Sequence, residues 1–184
     1  MTVRVGTELR LNDFVIKREK ESVQMTDPYG SFSFEVPADV DVTLVPVLPL
    51  NVPKRVATHL YLAFEHPIVF EEPRVLWLTM PYEVAVMAED KVIRIMSPFK
   101  VKHTVFGTPA DGIVCRWYKT KIIAEPQSYQ GVEALAKVTV EVDKPDVAAS
   151  LIFDMRDVNL YAQKTEPGLR VYYDLLSGKV KEGV

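Results

Sequence analysis

Apolar and polar residues alternate along much of this chain. In "SFSFEV", Phe32, Phe34 and Val36 fall on one parity, with Ser31, Ser33 and Glu35 on the other. "AKVTVEV" repeats the pattern with Val138, Val140 and Val142 against Lys137, Thr139 and Glu141, and "LIFDM" aligns Leu151, Phe153 and Met155. Successive side chains of a β-strand point to opposite faces, so this alternation predicts half-buried strands. Valine recurs throughout, and its branched Cβ suits a pleated surface better than a helix. "LVPVLPL" (44–50) and "RVLWLTM" (74–80) are apolar on both parities. They predict strands buried on both sides, or crossings between sheets.

Thirteen prolines fall mostly between these runs, in "DPYG", "VPAD", "EEPR", "MSPFK", "GTPADG" and "DKPD". They mark turns at strand ends. "MAEDKV" (87–92) predicts a tight hairpin turn, and "GTPADG" (107–112), with Gly at both ends, a longer hairpin loop. "NVPKRVATHLYLAFEHP" (51–67) is ambiguous: Val56, Leu60 and Phe64 fit a helical spacing, while Leu60, Leu62 and Phe64 alternate. Its Tyr, Thr, Leu and Phe content favours strand over 54–65. "SYQGVEALAK" has room for one helical turn. The pattern as a whole predicts an all-β, antiparallel, sandwich-like fold with little or no helix. We expect one β-rich domain over 1–184, divided, if at all, into two packed halves with a seam near 97–99 or 127–133.

Composition narrows the class. The chain has 184 residues, 48% apolar and 26% charged, enough to bury a core without disulfides. A single cysteine, Cys115, excludes an intrachain disulfide and fits a reducing compartment. No apolar run reaches membrane-spanning length and the start shows no signal-peptide pattern, so a cytoplasmic location without a membrane span is expected. Net charge is -3, which does not favour nucleic acid in bulk, but the distribution is uneven. Residues 91–121 carry Lys91, Arg94, Lys100, Lys102, Arg116, Lys119 and Lys121 against Asp111 alone, while residues 1–90 are acidic. Such a block marks either an anion-facing surface or a basic strand pair neutralised by acidic neighbours, and the second is the plainer reading.

The chemistry-bearing residues concentrate in "KHTVFGTPADGIVCRWYKTKII" (102–123). Arg94, Lys100, Lys102, His103, Arg116, Tyr118, Lys119 and Lys121 are the candidate binding residues. Arg116 and Tyr118 stand two apart, so they share one strand face, of a kind that holds an anion, a base or a protein partner. His59 and Tyr61 are candidates for a pocket. The histidines and the cysteine lack the spacing of a metal site, so no metal and no cofactor is expected. Cys115 alternates with Ile113 and Trp117, which predicts an inert core thiol pointing with them. No nucleophile elbow, P-loop or dinucleotide fingerprint is present, and no catalytic residue is assigned.

Lys102 to Tyr118, a basic residue leading into an aromatic-Gly-x-Pro-x-x-Gly turn and then an apolar pair, Cys, Arg and aromatics, resembles the archaeal domain of unknown function family 432. "VFEEPRVLWLTMPYEVAVM" and "GLRVYYD" are similar to the same family. The resemblance implies an archaeal cytoplasmic protein, brings no activity with it, and draws attention to Gly107, Pro109, Gly112, Cys115, Arg116 and Tyr118. The leading expectation is a non-enzymatic binding or assembly module with a protein partner or a second copy of itself, since β-rich chains must cover or blunt their edges. The alternatives are an anion or nucleic-acid binder through 91–121, and an enzyme with a small-molecule site between sheets built on His59, Tyr61, His103 and Arg116.

Overall fold

The computed structural model describes residues 1–50, 57–108, 110–126, 133–165 and 168–179. Strands are numbered along the chain. Sheet 1 has the order β1 (Thr2–Val3), β6 (Val42–Val47), β9 (Glu83–Ala88), β10 (Lys91–Met96). Sheet 2 is a meander of β2 (Glu8–Leu11), β3 (Phe14–Arg18), β4 (Ser22–Asp27) and β5 (Gly30–Glu35). Sheet 3 runs β11 (Lys102–Phe106), β12 (Ile113–Lys119), β7 (His59–Phe70), β14 (Asp146–Asp154). Sheet 4 runs β15 (Leu160–Thr165), β16 (Gly168–Lys179), β13 (Ala134–Glu141), β8 (Arg74–Met80). The chain is all-β and sandwich-like, with no helix among the described residues.

The alternating segments become the strands they predict. Phe14, Ile16, Val23 and Met25 of sheet 2 are buried, as are Val42, Leu44, Val84 and Val86 of sheet 1. Leu60, Leu62, Leu151 and Phe153 of sheet 3 and Leu78, Val138 and Val140 of sheet 4 continue the same apolar core. Buried apolar area is the main stabilising term, so one parity of each strand is committed to this interior. A buried Arg18 at the end of β3 fixes the chain that follows β5, donating to the carbonyls of Val36 (3.0 Å) and Pro37 (2.7 Å).

One expectation needs correction. The sheets are not purely antiparallel: β12 pairs with β7, and β13 with β16, in parallel. Parallel neighbours cannot be joined by a hairpin, and here β8 to β11 separate one pair and β14 and β15 the other. Alternation of side chains carries no information about strand direction. The helical turn given room in "SYQGVEALAK" is not overturned: residues 128–132 lie outside the described residues, and Ala134–Lys137 are strand, held between β8 and β16. The 54–65 segment is strand from His59 onward, with 51–56 outside the described residues.

Both hairpin predictions hold. The turn after β9 places Glu89 at φ 51°, and 107–112 links β11 to β12, with Pro109 outside the described residues. The terminal glycines of that loop are there for different reasons. Gly107 has φ 96°, which side-chain-bearing residues rarely adopt, while a Cβ at Gly112 would lie 2.5 Å from the Thr108 carbonyl oxygen.

The route between sheets positions everything that follows. The chain passes from sheet 1 to sheet 3 between Val47 and His59, returns from sheet 4 to sheet 1 between Met80 and Glu83, and leaves again between Met96 and Lys102. Each crossing contains a proline: Pro49, Pro81 and Pro98. Proline offers no N–H to a ladder, so each interrupts strand pairing where the chain must change sheets. The expected seam at 97–99 falls on the third crossing; of 127–133, all but Glu133 lie outside the described residues. Past β12 the chain changes sheet once more. Thr120 still donates its N–H to Ala63 of sheet 3 (2.9 Å), whereas Lys121–Ile123 cover the edge of β8 at Trp77–Thr79.

Candidate functional site

Arg116 faces the interior. Residues opposite one another share a face, and His103, Arg116 and Leu60 form one row across β11, β12 and β7. The next rows, Thr104–Cys115–His59–Asp154 and Lys102–Trp117–Tyr61–Ile152, lie on the other face. The expected exposed Arg116–Tyr118 face is therefore the inward one. Tyr118 is half-buried and Arg116 is 6% exposed. Cys115 and Trp117 share one face as expected, but it is the outer one, and Cys115 is fully covered there all the same. Burial pushes its thiol pKa up, away from a reactive thiolate.

The Arg116 guanidinium spans the gap between sheets. It donates to the carboxylate of Glu83, fully buried at the start of β9, and to the carbonyl of Pro49 in the first crossing. The other sheets reach the same place. Tyr173 of sheet 4 donates its hydroxyl to the Pro81 carbonyl in the second crossing. Tyr29, in the turn of sheet 2, accepts from the Val101 N–H in the third crossing (3.1 Å). Tyr118 donates to Glu133 (2.8 Å), which also takes Lys121 (3.3 Å), and its ring meets Phe99 edge-on at 5.6 Å. A cavity of about 20 Å³ remains among Pro49, Pro81, Tyr82, Phe99, Arg116 and Tyr118, space for one water and no larger ligand.

Burial sets the titration of these groups. Tyr82 is pushed up to about 12, first by desolvation and then by the Glu133 charge. Tyr173 rises well above the ordinary tyrosine value, again chiefly by burial. His103, opposite Arg116, is shifted down by partial burial and by the guanidinium charge, which favours neutral imidazole.

The remaining candidates disperse. Lys119 pairs with Glu65 (3.1 Å) and Lys121 with Glu133, so with Arg116 three cations of the basic block have carboxylate partners. Arg94 stacks on Phe32, 3.3 Å from the ring centroid, and Lys102 lies 4.6 Å from the centroid of Trp117. Lys100 is exposed beside the third crossing. His59 and Tyr61 stand on the outer face, away from His103 and Arg116, so the four residues of the pocket reading do not converge. His59 accepts or donates at Nδ1 with Thr58 Oγ1 (2.8 Å) and sits 3.8 Å from Asp154, whose carboxyl is drawn down to about 2, chiefly by Arg156. No cluster of three metal-ligating side chains occurs among the described residues.

Sequence reasoning missed Glu83, Glu133, Tyr82, Tyr173 and Tyr29. Glu83 carried a legible signal: it is the one charge in the apolar run "MPYEVAVMA", and a buried charge requires a partner. The tyrosines carried none, because the groups they meet, such as the Pro81 carbonyl at Tyr173 and the Val101 N–H at Tyr29, lie far away in sequence.

The family model described as protein of unknown function DUF432 matches residues 6–181. The chain belongs to this family. No curated protein and no solved structure matches it. The resemblance read at Lys102–Tyr118 thus points to the right family, and the segment Cys115-Arg116-Trp117-Tyr118 is where the fold places the buried Arg116 charge.

Two outcomes follow. Arg116→Met alone removes the guanidinium from the buried Glu83 carboxylate and costs about 3–5 kcal/mol. Adding Glu83→Leu relieves part of that loss, so a double-mutant cycle in urea gives a coupling of about 1 kcal/mol or more, where additive losses would show an idle pair. Titration gives the second. An unfolded tyrosine ionises near pH ~10, and Tyr82 folded near about 12, so the stability from keeping it neutral is intact below ~10 and lost as pH rises through about 12. Tyr82→Phe flattens this alkaline loss in melting curves taken across that window.

Proposed function

We propose that this chain, acting as a single β-rich domain in the cytoplasm, is a non-enzymatic binding or assembly module whose contact surface is the outer face of sheet 3. One observation carries the reading. The row Lys102–Trp117–Tyr61–Ile152 crosses all four strands of that sheet and leaves two neighbouring aromatic residues half-exposed on a rigid support. Tyr and Trp supply large contact area at small entropic cost, and they dominate the energetics of protein interfaces. Three of the seven cations that suggested polyanion binding, Arg116, Lys119 and Lys121, are instead engaged with Glu83, Glu65 and Glu133, and the residues that suggested a pocket lie on opposite faces of one sheet. No helix among the described residues is long and apolar enough to cross a membrane.

The test has two arms. In a Trp77→Phe variant Trp117 is the only tryptophan, and acrylamide should quench it readily; a shielded Trp117 would remove the surface on which the reading rests. In a melting-temperature screen against divalent metals, mononucleotides, RNA and DNA, no ligand should raise the transition. A rise with RNA or DNA that vanishes at high salt would replace this reading by the polyanion one, and a rise with a metal or nucleotide by the enzyme one.

A further inference from the structure

We infer that the outer edge of β11 pairs antiparallel with β11 of a second copy, about a two-fold axis at Thr104, joining two copies of sheet 3 into one eight-stranded sheet. This rests on the binding and assembly reading and names the partner. β11 is the last strand of sheet 3, with no strand beyond it among the described residues, and Lys102, His103 and Val105 are exposed along it. At β8, by contrast, Lys121–Ile123 cover the edge at Trp77–Thr79. An open edge presents unpaired backbone groups to any strand of matching length.

The register follows from the backbone. The Val101 N–H, just before β11, is bonded to Tyr29 and not to β12. Backbone groups alternate in direction along an extended strand, so those of His103 and Val105 also point away from β12. A two-fold axis at Thr104 sets His103 opposite the partner's Val105, and Val105 opposite the partner's His103, completing both hydrogen-bonded pairs. It sets Lys102 opposite the partner's Phe106, so no like charges meet. On one face Val105, 58% exposed, and its cross-strand neighbour Val114, 37% exposed, are covered by the ring of the partner's His103, with the partner's Val105 diagonally beyond. On the other, the partner's Phe106 extends the stack that Lys102 makes on Trp117. The other edge of sheet 3 lacks this self-complementarity: an antiparallel copy of β14 in full register would set Asp146 opposite the partner's Asp154. Closed two-fold pairing is also the commonest symmetry of soluble oligomers.

Light scattering on the eluting protein over a concentration series should reach twice the 20.8 kDa chain mass. Val105→Lys, at an exposed position, should return it to the single-chain mass with an unchanged melting transition of the diluted protein. Thr104→Cys in a Cys115→Ala background should form an intermolecular disulfide on mild oxidation, since directly opposed residues of a non-hydrogen-bonded pair lie ~4.5 Å apart. Val105→Cys in that background should cross-link poorly, because it faces His103. A single-chain mass at every concentration overturns the proposal. So does a dimer that Val105→Lys leaves intact or that Thr104→Cys fails to cross-link. None of these results touches the Trp117 quenching and ligand screen, which decide the broader binding reading separately.

Discussion

The pair of Arg116 and Glu83 is the contact on which the arrangement of sheets depends. It lies where the chain crosses three times between its first two sheets and its last two, and each crossing contributes a proline that ends strand pairing. Proline carbonyls at such points have no ladder partner, and two of them are taken up by the Arg116 guanidinium and the Tyr173 hydroxyl. Burying a carboxylate and a guanidinium costs desolvation that only good pairing offsets, so the gain of such a pair over an apolar one is small. Its effect is on specificity. Glu83 buried without Arg116 is strongly unfavourable, and therefore any packing of sheet 3 against sheet 1 that separates them is disfavoured.

This accounts for why the most reactive-looking segment yields no open site. The basic block turns its arginine inward and ties two of its lysines to carboxylates on neighbouring segments. Its cysteine is covered, and burial keeps the thiol protonated. What remains outward includes Trp117 and Tyr61 on the sheet face and Val105 and Val114 near the hairpin tip, beside the exposed Lys100, Lys102 and His103. Surfaces of that kind recognise other protein surfaces through area and shape, and backbone edges recognise strands. On the reading proposed above, the DUF432 chain makes its contacts through one face and one edge of a single sheet.

Much of the fold was legible because burial follows parity. Phe32 and Phe34, Val138 and Val140, and Leu151 and Phe153 turn inward as their spacing requires, and "LVPVLPL" does contain a crossing. Strand direction was not legible, since a parallel and an antiparallel neighbour ask for the same alternation. The inward face at Arg116 was misread for a physical reason. Both parities of β12 are buried around Cys115 and Arg116, so hydrophobicity favours the thiol while the partner that makes Arg116 buriable lies 33 residues away in sequence. Neutralisation of the basic block by acidic neighbours was foreseeable from charge balance, though Glu65, Glu83 and Glu133 could not be singled out without three-dimensional proximity.

Native-state hydrogen exchange of the wild-type protein tests the central claim most directly. If the buried pair locks the crossings, the amides of Glu83, Ser97 and Arg116 exchange only through global unfolding, with the same denaturant dependence as the most protected core strands. Exchange of these amides through a local opening, insensitive to denaturant while Leu60 and Val138 stay protected, would contradict it.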